Sequence, residues 1–147
     1  MGGKRAAEAR RWFQQATYDL KAAQWNLEGG FFNTVCFLSQ QGAEKSLKSL
    51  LYYLGARRQA LLTHSLVEMV EEAGKSVAQL ALLLDEARDL DLHYIPSRYP
   101  NGLPGGYPHQ FYTRRVAEEA LQAADRIFKS VQDYYQNRDE NEILRSD

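Results

Sequence analysis

The chain has 147 residues, of which 44% are hydrophobic and 25% charged, with a formal net charge of −1. That length fits one domain able to bury its own core. The balanced charge excludes a global pull toward nucleic acid or an anionic membrane, so any such binding has to come from a local patch. Cys36 is the only cysteine, which excludes an internal disulfide framework, and its apolar surroundings read as core. No apolar stretch is long enough to span a bilayer. The start Met-Gly-Gly-Lys-Arg has no signal-peptide apolar segment, and Ala6 stands where acylation of Gly2 requires Ser or Thr. A cytoplasmic protein is expected.

The first helix is expected from about Ala6 to Glu28. Trp12, Phe13, Ala16, Leu20, Ala23 and Leu27 recur at three- and four-residue steps and mark a core face. Tyr18, Ala22 and Trp25 form a second apolar edge nearly opposite, which suggests burial between neighbours or a subunit contact. Gly29-Gly30 ends this helix. A second helix is expected over Phe32 to Leu54, closed by Gly55, with small residues (Ser39, Gly42, Ala43, Ser46, Ser49) that admit a close neighbour. Within it Glu44 and Lys48 have the spacing and order of an exposed ion pair. Residues 56–63 read as a link. Ser65-Leu66-Val67-Glu68 is a capping box that starts a short third helix, stopped at Gly74. A fourth begins near Ser76, and a last one runs from about Phe111 to Asn137. The reading is an all-α, up-and-down antiparallel bundle of four to five helices over residues 1–137. The polar tail 138–147 is expected to fray.

The stretch Arg88 to Tyr112 interrupts this pattern. It holds all four prolines (Pro96, Pro100, Pro104, Pro108), three of the ten glycines and two of the three histidines. Long loops in compact domains tend to carry function. Most chemical signatures are absent elsewhere: no glycine-rich phosphate loop, no paired-cysteine spacing and no metal-binding spacing of histidines, so neither metal nor cofactor is expected. His64, just before the Ser65 cap, reads as a turn or packing residue.

Arg88 and His93 are five residues apart. In a regular helix they point about 140° apart, so they converge on one target only if the helix unwinds or a second subunit completes the site. Asp89, four residues before His93, is placed to pair with the ring and hold it protonated. The ordinary alternative is a surface Arg and His at a helix end. Arg98-Tyr99 offers a guanidinium fork for phosphate or carboxylate and a ring for stacking. The competing reading is that Arg98 pins the loop and Tyr99 packs on the bundle. Tyr94 lies beside them, and Arg114 and Arg115 open the last helix where they can line the same site.

Three segments in order carry a family resemblance. They are A-x-x-D-L-x-A-A (Ala16 to Ala23), F-L-S-Q-Q-G-A-E-K-S-L-K-S-L-L (Phe37 to Leu51) and L-D-L-H-Y-I-P-S-R-Y-P-N-G (Leu90 to Gly102). On these the chain resembles the HEPN family, small helical domains of higher eukaryotes and prokaryotes often paired with nucleotidyltransferases. The resemblance implies a homodimer that binds a nucleotide or a separate minimal nucleotidyltransferase, as in two-component or toxin–antitoxin pairs. Arg98, Tyr99, Tyr94, Arg114 and Arg115 are then the ligand-binding candidates.

The resemblance also implies an alternative. Ribonuclease members carry an Arg, four to six residues, then a His, shared across the dimer interface, and Arg88 and His93 match that spacing. His93 would move the proton of an RNA 2′-hydroxyl without a metal, and Arg88 would stabilise charge on the phosphate. The motif departs from those members. Asp89 and Asp91 stand inside it and Tyr94 follows His93 directly, and two carboxylates beside a phosphate disfavour its binding.

Overall fold

Two glycines reverse the chain between its first long helices. In the computed structural model, which describes residues 3–146, α1 spans Gly3–Gly29 and α2 runs back over Phe32–Leu54. Gly30 turns with φ of 82°, a backbone state that costs glycine little. Gly55 closes α2 in the left-handed conformation at φ 69°, its N–H bonded to the carbonyls of Leu51 and Tyr52. The Gly2 position considered for acylation lies outside the described residues, as do Met1 and Asp147.

The small residues of α2 do what their size allows. Ser49 Oγ donates to the Ala9 carbonyl at 2.6 Å, and a Cβ on Gly42 would come within 2.6 Å of the Leu20 side chain. Pairing of Ser49 with Ala9, and of Gly42 with Leu20, makes α1 and α2 antiparallel. Short helices α3 (Arg58–Leu62) and α4 (Leu66–Gly74) follow, and a 3₁₀ segment, Ala78–Leu83, leads into α5 (Leu84–Asp91). After the proline loop come α6 (Pro108–Phe111), α7 (Arg114–Asn137) and α8 (Asn141–Leu144). Glu86 pairs with Arg126 and His93 meets Tyr112, so α5 ascends against the descending α7. The result is an all-α up-and-down bundle. Phe13 stands at its centre, stacked on Phe128 at 4.8 Å and edge-on to Tyr135 at 5.6 Å.

Several expectations need correction. The link after Gly55 contains α3, and the fourth helix opens as 3₁₀ rather than α. The last helix breaks at Tyr112–Thr113, because Pro108 starts its own short turn and Thr113 Oγ caps α7 through the Val116 N–H. Trp12 is only half-buried, stacked on Tyr52. Glu44 and Lys48 form their ion pair at 3.1 Å inside the protein, 4% and 6% exposed, not on the surface. The tail docks instead of fraying: Ile143 is buried, Gln14 Nε2 donates to its carbonyl at 2.9 Å, and Arg10 reaches the Glu142 and Arg145 carbonyls. On the second edge of α1, Tyr18 and Trp25 face solvent within this chain, Trp25 at 77% exposure.

Candidate functional site

Helix α5 stops at Asp91, and residues Leu92 to Arg98 wind through successive turns. Pro96 has no N–H to continue a helix. The loop is nevertheless fastened. Ser97 is buried with its hydroxyl on the His93 carbonyl, and Asn33 Nδ2 of α2 donates to the Ser97 carbonyl at 3.1 Å. That anchorage sets Arg98 against α2.

Arg98 is the most elaborately held cation of the loop. Its Nε donates to the Tyr94 carbonyl at 2.9 Å. Its guanidinium carbon lies 4.5, 4.8 and 4.9 Å from the ring centres of Phe37, Tyr94 and Tyr99. The remaining guanidinium nitrogens have no hydrogen-bond partner among the described residues. Arg98 thus pins the loop through one nitrogen and leaves the other two unspent. Tyr99 is half exposed beside it.

Arg88 and His93 are engaged separately. Arg88 is exposed, with Nη1 on Asp85 at 2.9 Å. His93 is half-buried with Nδ1 3.1 Å from the Tyr112 hydroxyl, and it lines an apolar cavity of about 300 Å³ with Leu92, Leu103, Phe111 and Val116. Burial pushes the His93 imidazole below its ordinary value, and the charge of Asp89 opposes this only in part. Burial raises the Tyr112 phenol to about 12. The expectation that Asp89 holds His93 protonated is therefore reversed: desolvation outweighs one exposed carboxylate, and the ring favours its neutral form. The Asp91 carboxylate is also accounted for, accepting from the Leu66 and Val67 backbone and the Ser65 hydroxyl at the start of α4.

Arg114 and Arg115 each have a partner of their own. Arg114 lies 5.0 Å over the Phe32 ring, and Arg115 pairs with Glu119 at 3.2 Å. His64, read from the sequence as a turn or packing residue, packs against the same loop. Its ring lies nearly parallel to Tyr94, at 5.3 Å and 18°, and its Nδ1 is 3.2 Å from Glu44 Oε2. Glu44 also receives Lys48 Nζ and Gln40 Nε2, each at 3.1 Å. The Ser65 cap places His64 at the entry to α4, but no spacing in the sequence links it to Tyr94. Among the described residues no group of three or more His, Cys, Asp or Glu is arranged to hold a metal, and no helix is long and apolar enough to cross a membrane.

Comparison with known proteins gives this geometry a context. The HEPN domain model matches residues 9–134. A Thermus thermophilus protein of known structure is 36% identical with a TM-score of 0.79, the match covering 86% of this chain and 97% of that one. An archaeal HEPN homologue is 35% identical with a TM-score of 0.71, over 86% of this chain and 97% of its own. A protein of Methanocaldococcus jannaschii named "Putative toxin" is 27% identical over 138 residues, 88% of this chain and 90% of that protein. The family match spans both the helices that hold Arg98 and those that hold His64, and this chain belongs to the HEPN domain family.

Proposed function

We propose that this protein is a cytoplasmic, dimeric HEPN module that engages a nucleotide, or a minimal nucleotidyltransferase presenting one, through the Arg98 loop, as one half of a two-component or toxin–antitoxin pair. The observation that carries the reading is the Arg98 guanidinium, oriented by three rings and one carbonyl with two nitrogens unspent. A planar donor fork held in place suits a phosphate, and the half-exposed Tyr99 ring suits a base. Preorganisation lowers the entropy lost when such a ligand binds. The likeness to a toxin-named archaeal protein supports the paired role. Calorimetric titration of adenosine nucleotides tests the reading. Arg98→Ala is expected to weaken binding by about ten-fold or more while helical content stays unchanged, and unaltered affinity would refute it.

A second reading is a metal-independent ribonuclease toxin using Arg88 and His93 across a dimer interface. It is favoured by the neutral His93 imidazole, the form a general base requires. Among the described residues of one chain Arg88 and His93 share no hydrogen-bond or ion-pair partner, so this reading depends on the second subunit. RNA cleavage that survives chelators and disappears in His93→Ala would establish it. An intact substrate after incubation with the purified protein would remove it.

A further inference from the structure

We propose that the exposed edge of α1 is the face on which a second copy of this chain docks, the two α1 helices lying antiparallel about a two-fold axis near residue 20. The proposal rests on the dimeric part of the reading above and names the surface that would form the dimer. Three observations support it.

The first is the shape of the face. Arg11, Gln15, Tyr18, Ala22, Trp25 and Gly29 follow alternating steps of four and three residues. That spacing keeps them within an arc of about 80° along about 27 Å of helix. The stripe lies opposite the buried Ala9, Phe13, Ala16, Ala23 and Leu27. Tyr18 is 51% and Trp25 77% exposed. Phe31, 53% exposed, extends the stripe, since its ring would meet a Cβ on Gly29 at 3.4 Å. Three large rings along one stripe make a continuous apolar surface, unlike the scattered single side chains of an ordinary exterior. Their exposed parts from two copies amount to roughly 800 Å². That is most of the ~1,200 Å² at which specific interfaces begin, and the rest of the stripe adds to it.

The second is self-complementarity. Reversing the helix about residue 20 sets Tyr18 against Ala22 of the second copy, Trp25 against Gln15, and Arg11 against Gly29. Each bulky side chain then meets a smaller one. Two-fold association demands that property of a surface, and a foreign partner does not.

The third is charge. Arg11 is exposed at one end of the stripe and is paired only along its own helix, with Glu8. Glu28, exposed at the other end, has neither ion pair nor hydrogen bond among the described residues. The reversal brings Arg11 of one copy beside Glu28 and Phe31 of the other, a carboxylate and a ring that both suit a guanidinium. Lys21 flanks the axis. Its Nζ lies 4.9 Å over the Tyr18 ring of its own helix, which keeps the ammonium at the solvent edge.

Sedimentation equilibrium of the full chain tests the proposal on wild type, Trp25→Glu, Arg11→Glu, Glu28→Arg and the double variant with both charges reversed. Residues 11 and 28 of one chain are about 25 Å apart along α1, too far to pair, so any mutual rescue arises between copies. Trp25→Glu is expected to raise the dimer dissociation constant by about 100-fold with helical content unchanged. Each single reversal is expected to raise it about five-fold, and the double variant to return to within about two-fold of wild type. A wild-type dimer indifferent to Trp25→Glu would overturn this face and leave a dimer built elsewhere. A double variant no tighter than the single ones would overturn the antiparallel pairing. Wild type that stays monomeric at every concentration would overturn the inference together with the dimeric part of the reading above.

Discussion

The Asp91 carboxylate accepts the Leu66 backbone N–H at 2.8 Å, and so fastens the end of α5 to the beginning of α4. Its second oxygen takes the Val67 N–H and the Ser65 hydroxyl, each at 3.2 Å. An acid at a helix N-terminus satisfies donors that have no partner within the helix and meets the positive end of its dipole. The carboxylate that looked hostile to a phosphate in the sequence is therefore spent on structure.

Asp91→Ala should destabilise the fold by about 1–2 kcal/mol, in the range of a lost N-terminal cap with its dipole contribution. Asp91→Asn should cost less, because the amide oxygen still accepts. Urea denaturation reads both. An unchanged midpoint for Asp91→Ala would mean that this junction contributes nothing.

His93 makes a pH-dependent contribution whose sign follows from its depressed value. Well above pH ~6.5 the ring is neutral in folded and unfolded chains alike, and contributes no pH dependence. As pH falls through that value the unfolded chain gains a proton that the folded one resists, so stability declines until the folded ring also protonates. His93→Gln should flatten this part of the stability profile, measured as denaturation midpoints across the weakly acidic range. A slope unaltered by the substitution would place the loss on other groups.

The buried Glu44–Lys48 pair predicts an asymmetry between single and double changes. Glu44→Ala leaves Lys48 nearly buried without its carboxylate and should cost about 3–5 kcal/mol. Replacing both, as Glu44→Leu with Lys48→Met, should recover much of that loss, since it removes two buried charges together. Calorimetric melting of the three variants measures the effect. A double variant as unstable as the single one would show that Gln40 and His64, which also bond Glu44, depend on the carboxylate more than Lys48 does.

Ile143 is fully buried although it sits in a charged tail. Ile143→Ala should cost about 2–4 kcal/mol, the range for truncating a core aliphatic side chain. The same melting experiment checks it, and a loss within about 0.5 kcal/mol, as for an ordinary surface position, would mean that α8 is not docked in solution.

The helices were legible because periodicity and capping are local. Phe32–Leu54, the Gly55 cap and the Ser65 cap can all be read from a few adjacent residues. Thr113 was missed because the apolar pattern runs from Phe111 into α7 and hides the cap. The tail misled because its one apolar anchor, Ile143, is outnumbered by charged neighbours. Its partners Arg10 and Gln14 lie at the other end of the chain. At the site, Arg98 and Tyr99 stand out by composition, whereas His64 becomes a neighbour of Tyr94 only when α4 and the loop after α5 come together. Nor does spacing reveal desolvation, which is why Asp89 looked able to charge His93.

Arg98, and not Arg88, is proposed as the arginine through which this protein meets a nucleotide. Parallel calorimetric titrations of adenosine 5′-monophosphate into wild type, Arg98→Ala and Arg88→Ala test it most directly. Binding lost in Arg98→Ala and retained in Arg88→Ala is the predicted result. Binding lost in Arg88→Ala and retained in Arg98→Ala would refute this role of Arg98.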